Sequence, residues 1–179
     1  MKMARLFRKS KTRSMLVFIQ IVTTIAFLAI AFQDIKDKAV SLFLFPLLTI
    51  CIGLYHYHQS TWELFCIHSI INIIIVSVIL LTLYTYIRLR QNHIFFNVFG
   101  SGDMAMFYVL CFSFATVSFV ISFVFSIIFS LVLSMLFYKP SSQIPLAGHM
   151  AIFFLCIFVF NWFGILNHLY RIWWWRHLG

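Results

Sequence analysis

Long apolar runs separated by short polar breaks dominate the chain. Crossing about 30 Å of hydrocarbon takes roughly 17–25 helical residues, and the runs have that length. They do not alternate apolar and polar positions, as the strands of a membrane barrel would. We therefore predict an all-α polytopic membrane protein with about six transmembrane helices. The predicted spans lie near 15–33, 39–56 and 62–87, within 104–138, and near 145–165.

The fourth apolar run, from Met104 to Tyr138, contains no charged residue and is too long for one span. As a single helix it would reach roughly 50 Å, well beyond the hydrocarbon core. We predict two short spans joined by a turn at Thr116-Val117-Ser118. The alternative is one continuous helix and five spans in all.

Composition supports the membrane interpretation. The 179 residues are 63% hydrophobic and 9% charged, with a mean hydropathy of +1.01, whereas soluble proteins carry roughly a quarter charged residues. The net charge of +9 does not indicate nucleic acid as a partner, because six of the thirteen basic residues crowd the N-terminal tail. That pattern suits the anionic headgroups of a lipid bilayer. We predict a basic tail over 1–14, a membrane domain over 15–165 and an interfacial tail over 166–179.

The four cysteines and seven histidines show no spacing typical of a metal site or a disulfide framework. The cysteines lie singly in apolar runs, where a thiol packs as a small apolar group. We interpret the histidines as isolated interfacial or packed side chains. No metal and no cofactor are therefore expected.

Only four residues are acidic: Asp34, Asp37, Glu63 and Asp103. A carboxylate is costly beside hydrocarbon, so Asp34 at the end of the first span and Asp103 at the start of the fourth run are functional candidates. Two predicted spans separate them, so both face the same side of the membrane in either orientation. Two adjacent carboxylates share a proton, because like charges a few ångströms apart do not both ionise comfortably. Such a pair can activate water and polarise a peptide carbonyl.

The turn before Asp103 contains Gly100 and Gly102, which lack a Cβ atom and so allow backbone to approach a substrate closely. The alternative for Asp103 is a helix N-cap, a position that aspartate favours. The alternative for Asp34 is a residue that only marks the end of a span. Asp37 lies between two lysines, and we expect it to be solvent-exposed and ion-paired.

These residues resemble those of the prepilin and preflagellin peptidases, which are intramembrane aspartyl proteases with a D…GxGD signature. The resemblance covers roughly 15–165 and rests on 32–40, 43–46, Gly100-Ser101-Gly102-Asp103 and the preceding Phe95-Phe96-Asn97. Presenilins and signal peptide peptidases also carry GxGD. Their later Pro-Ala-Leu motif differs in order from Pro145-Leu146-Ala147 here, and the first aspartate fits the prepilin peptidases better.

The resemblance implies that Asp34 and Asp103 form the catalytic pair, with Gly100 and Gly102 in the supporting turn. It implies a site at the cytoplasmic face of the inner cell membrane and cleavage of the short basic leader of a prepilin-like substrate. The cysteine-rich domain and methyl-donor site of larger members are missing, so no N-methyltransferase activity is expected. The basic tail conflicts with this orientation, since the positive-inside rule would place the aspartates outside.

Two other functions stay open at this stage. The chain could be a non-catalytic membrane scaffold or accessory subunit, or a small proton-coupled transporter that uses the aspartates as proton carriers. A transporter needs polar residues along a path through several spans. Those present are few, and helix packing explains them: Ser69, Asn72, Ser77 and Asn161.

Overall fold

The fold was obtained as a computed structural model, which describes residues 2–38, 40–91, 100–137 and 145–164. Side chains are described from residue 14 onward within those ranges, except at 90 and 91. The described residues form helices and no strand, which confirms the predicted all-α fold. The helices are α1 (Lys2–Asp37), α2 (Leu44–Gln59), α3 (Trp62–Gln91), α4 (Ser101–Leu110), α5 (Thr116–Phe137) and α6 (Leu146–Trp162).

Three stretches of the described helices are long and apolar enough to cross a membrane: Ser14–Asp37, Trp62–Leu89 and Thr116–Phe137. They mark the chain as a helical membrane protein. The predicted count of about six spans is not confirmed, since α2 has 16 residues, α4 has 10 and α6 has 17. The predicted span at 62–87 agrees with the structure, whereas α2 begins later than the predicted 39.

The fourth apolar run is two helices, but only the second is long enough to span. The chain leaves helical geometry at 111–115, directly before the predicted turn, so Thr116 opens α5 instead of forming the break. At 1.5 Å per residue, α4 is about 15 Å long, half of a hydrocarbon core. The prediction that this segment is itself a span is therefore not confirmed.

The first helix extends beyond its predicted ends at 15 and 33. It runs without interruption from Lys2 to Asp37, so the predicted boundary between tail and membrane domain at 14 is not a helix boundary. It stops where Lys38 adopts a positive φ of 51°. The motif Phe95-Phe96-Asn97, residues 138–144 and the predicted interfacial tail at 166–179 lie outside the described residues.

Packing brings the ends of three helices together. α1 packs against α2 and α6, α6 also packs against α5, and α4 lies among α2, α3 and α6. The ring of Phe158 in α6 contacts Phe27 of α1 at 5.7 Å and Phe114 of the α4–α5 turn at 5.0 Å between centroids. All three rings are buried. The aromatic core therefore fixes α1 and the end of α4 against the same face of α6.

A column of buried serines on α5 lies on the side that packs against α6. Small side chains let two helices approach closely where lipid offers no hydrophobic drive. One of them, Ser130, contacts Nδ1 of His149 at 3.2 Å between the oxygen and the nitrogen. The serines recur at every fourth position: Ser122, Ser126, Ser130 and Ser134.

Candidate functional site

The buried face of α1 ends in an acid. Phe27, Ile30 and Ala31 are buried and recur with helical spacing, and Asp34 continues the same stripe. Its side chain is only 8% exposed, whereas Asp37, three residues further on, is exposed. Asp34 therefore faces α6. Asp37 continues the same stripe by spacing, but it is the last residue of α1 and is exposed there.

Asp103 lies in the first turn of α4 and is half-buried. The N-cap of this helix is Gly100, with extended backbone angles (φ −62°, ψ 141°), so the alternative assignment of Asp103 as the N-cap is wrong. As the third residue of the helix, Asp103 instead accepts a hydrogen bond from the backbone N–H of Gly100. This is the acidic half of a capping box.

The two aspartates meet at the start of α6. The backbone N–H of Ala147 donates to Oδ1 of Asp103 at 2.8 Å, and the next N–H, that of Gly148, donates to Oδ2 of Asp34 at 2.5 Å. Neighbouring backbone nitrogens are only a few ångströms apart. With one hydrogen bond on each side, the two accepting oxygens are at most about 10 Å apart. The positive end of the α6 dipole faces both carboxylates.

Gly148 makes this contact sterically possible. A Cβ atom there would lie 3.1 Å from both the Cβ and Oδ2 of Asp34, and 3.3 Å from the carbonyl oxygen of Ala31. Two of these three atoms belong to groups that cannot move without moving α1. Only glycine lets the first turn of α6 approach α1 closely enough to donate its N–H to Asp34.

The two glycines of the predicted turn have different surroundings. A Cβ on Gly100 would lie 3.1 Å from Oδ2 of Asp103, whereas a Cβ on Gly102 would meet only the ring of Phe45, at 3.8 Å. The first glycine therefore borders the carboxylate. The second packs toward α2 and allows an ordinary contact.

The surroundings of Asp103 raise the pKa of its carboxyl group. Asp103 precedes the apolar run and lies outside the three long apolar helices. Burial raises the pKa of its carboxyl group to about 6, the N–H of Ala147 opposes that rise, the charge of Asp34 adds to it, and Gly100 opposes it. A raised pKa beside a second carboxylate is the condition under which two acids share one proton.

Other polar groups near the pair have contacts elsewhere. His149 follows Gly148 in α6, and its ring contacts Ser130 on α5. Lys36 lies over the ring of Phe32, 5.4 Å from the centroid. Within the part of the chain that the structure describes, no three His, Cys, Asp or Glu residues are grouped as a metal site would require.

Sequence reasoning missed the role of the α6 start. The sequence places Ala147 in the motif Pro145-Leu146-Ala147 but does not show that Ala147 and Gly148 donate to the two aspartates. Backbone N–H donors leave no mark on a sequence, because almost every residue has one. The available signal was a glycine in the first turns of a predicted helix, where glycine costs about 1 kcal/mol relative to alanine and therefore indicates a close approach.

Comparison with protein-family models, with curated proteins and with solved structures finds no match to this chain. The site is therefore interpreted from its own geometry.

Proposed function

We propose that the protein is an intramembrane aspartyl endopeptidase in which Asp34 and Asp103 act as a pair. The observation that carries the proposal is the pairing of their carboxylates with consecutive N–H groups of Ala147 and Gly148. The two acids come from helices distant in sequence, and each is held by a separate main-chain donor. That arrangement suits a pair that must stay together while one proton is exchanged between them.

The chemistry needs one ionised and one neutral carboxyl group. The ionised group takes a proton from a water molecule, whose oxygen attacks the scissile carbonyl carbon. The neutral group donates its proton to the carbonyl oxygen, so a tetrahedral diol forms. When the C–N bond breaks, the first carboxyl group gives its proton to the leaving nitrogen and the diol returns a proton to the second. The main-chain donors of α6 hold both carboxylates in place throughout.

The resemblance to prepilin and preflagellin peptidases supports a substrate class. We assign a prepilin-like membrane protein whose short basic leader precedes an apolar helix, cleaved at the cytoplasmic face. The net charge of +9 would repel a free basic peptide, so the leader has to be presented by its membrane-embedded helix. Tight binding of a detached soluble leader would count against this mode of recognition.

The decisive test replaces each aspartate by asparagine. The probe is a membrane-anchored test protein with a short basic leader before an apolar helix, incubated with the purified protein in liposomes. Asp34→Asn and Asp103→Asn should each lower the cleavage rate by about 100-fold or more, since each removes a proton-transfer group. Asp37→Asn, at an exposed neighbouring acid, is the matched control and should cleave normally.

Cleavage at the wild-type rate by either folded variant would remove that aspartate from the pair. If the wild-type protein cleaves no such substrate, a scaffold or accessory subunit becomes the better account. Proton flux into liposomes that depends on Asp34 and Asp103 would instead favour the transporter.

A further inference from the structure

The turn between α4 and α5 interrupts the regular backbone ladder inside a membrane protein. Free backbone groups are costly in hydrocarbon, so each needs a partner. Three N–H groups of the turn have local partners at the end of α4. Those of Cys111, Phe112 and Ser113 donate to carbonyls three residues earlier, at 3.2, 3.3 and 3.0 Å. The carbonyls of the turn itself have to find partners on other helices.

Side chains from α2 and α3 provide those partners. The amide nitrogen of Asn72, a fully buried residue, donates to the carbonyl oxygens of Cys111 at 2.9 Å and Phe114 at 3.1 Å. Nδ1 of His56, also fully buried, contacts the carbonyl oxygen of Phe112 at 3.1 Å. Because a carbonyl oxygen only accepts, Nδ1 of His56 carries the hydrogen in this contact.

A third side chain holds the beginning of α5. Nδ1 of His68 lies 3.0 Å from the hydroxyl of Thr116 and 3.4 Å from its backbone nitrogen. The backbone N–H only donates, so this Nδ1 is the acceptor. His56, His68 and Asn72 therefore hold both interrupted helix ends, and we call these three residues the turn clamp.

We propose that the turn clamp positions Asp103 relative to Asp34. The turn clamp is hydrogen-bonded to the chain at Cys111, directly after α4. Asp103 lies in the first turn of α4, which has ten residues. A helix of this length is rigid, so fixing its end also fixes the position of Asp103, about 12 Å away along α4. The three clamp residues are positioning residues: they act on the carboxylate only through α4.

The competing explanation is that these polar side chains only satisfy backbone groups and so stabilise the fold. In that case their loss would lower thermal stability and leave the separation of Asp34 and Asp103 unchanged in the folded protein. A measurement of that separation distinguishes the two explanations, and it does not require that the protein be a peptidase.

The test measures crosslinking between positions 34 and 103 in the full chain. The four native cysteines are replaced by alanine, both aspartates are replaced by cysteine, and a short bis-methanethiosulfonate reagent is applied to protein in liposomes. Asn72→Leu removes both donors at similar volume. Thr82→Val is the matched control on α3, where the hydroxyl donates to the carbonyl oxygen of Val78 within the same helix.

Asn72→Leu should lower the crosslinking yield severalfold in protein that still elutes as a single folded species, and Thr82→Val should leave it unchanged. An unchanged yield in folded Asn72→Leu protein overturns the proposal. If that variant does not fold, Thr116→Val is tested in its place, since it removes only the hydroxyl that His68 contacts. A reduced yield then supports the clamp, and an unchanged yield overturns it.

Kinetics give a second measurement if the wild-type protein cleaves the leader-bearing probe. A misplacement of Asp103 on the order of 1 Å should lower kcat by up to about 100-fold and leave KM nearly unchanged. Failure of the wild-type protein to cleave would contradict the peptidase proposal alone, because the crosslinking result does not depend on it.

Discussion

The two ends of α4 are held in opposite ways. At its start, the side-chain carboxylate of Asp103 accepts a hydrogen bond from the main-chain N–H of Ala147 in α6, next to the N–H that Gly148 donates to Asp34 of α1. At its end, main-chain carbonyls accept hydrogen bonds from the side chains of His56 and Asn72 on α2 and α3. The acidic end therefore depends on how closely two backbones approach, and the turn depends on the chemical identity of particular side chains.

This difference determines which substitutions can disturb each end. A main-chain donor survives most side-chain replacements, so the acidic end is sensitive to added volume. A side-chain donor is lost by a single replacement, so the turn is sensitive to lost hydrogen bonds even when volume is kept. Substitutions that change only volume or only hydrogen bonding therefore test the comparison directly.

The largest effect is expected from added volume at Gly148. In Gly148→Ala the new Cβ meets Asp34 and the carbonyl oxygen of Ala31 at 3.1–3.3 Å, so α6 has to move away from α1. Overpacking of this kind costs about 1–3 kcal/mol. The accompanying shift of the carboxylate should lower the cleavage rate on the order of 100-fold. Thermal unfolding in detergent and the liposome cleavage assay measure the two effects.

Gly53→Ala is the matched control for that substitution, because its Cβ would meet only the ring of Phe65, at 3.8 Å. The thermal stability and the cleavage rate of this variant should both stay near those of the wild-type protein. A Gly148→Ala protein that unfolds and cleaves like Gly53→Ala would show that close approach at α6 does not hold the pair.

An intermediate effect is expected from loss of one donor at the turn. His56→Leu fills the fully buried position with an apolar side chain. The carbonyl oxygen of Phe112 then loses the hydrogen bond from Nδ1 of His56. An unsatisfied buried polar group costs about 1–3 kcal/mol. The free energy of unfolding in detergent should fall by that amount. His58→Leu, at an exposed position on the same helix, should leave it almost unchanged.

Equal stability of the His56 and His58 variants would mean that the turn does not need its side-chain donors. The contrast between main-chain donors at the start of α4 and side-chain donors at its end would then have no effect on stability.

The smallest effect compares Gly100, the N-cap of α4, with Gly102, the second residue of that helix. Gly100→Ala places a Cβ 3.1 Å from Oδ2 of Asp103 and should lower the cleavage rate severalfold with little change in stability. Gly102→Ala meets only Phe45 at 3.8 Å and should be tolerated, with stability raised by up to about 1 kcal/mol from better helix propensity. A severalfold loss of cleavage in Gly102→Ala alone would reverse this ranking and implicate the second glycine in substrate approach.

Much of the fold was predictable, because it follows from the length and uniformity of apolar runs. The all-α class and the span starting at Trp62 required only hydropathy and helix rise. The break in the fourth run was predicted a few residues late, since no Gly or Pro marks it. In the structure the break is hydrogen-bonded by Asn72 and His56, which lie far away in sequence and which sequence alone does not connect to this turn.

The candidate site was predictable to a smaller extent. The sequence predicts two spans between Asp34 and Asp103 and hence a shared side of the membrane, and the structure brings both carboxylates to one helix end. The donors that hold them were not predictable, because main-chain N–H groups are common to all residues except proline. The need for glycine at 148 arises only from contact with a residue 114 positions earlier.

Because the donors of α6 are main-chain groups, few single substitutions can remove a hydrogen bond to either aspartate. Among the ordinary amino acids, only proline lacks the N–H, so deletion of either donor requires proline at Ala147 or Gly148 itself. Random mutagenesis should accordingly recover inactive alleles at the aspartates and bulky alleles at Gly148. Ala147 is fully buried, so inactive alleles there should include proline, through the lost N–H, and large residues, through added volume.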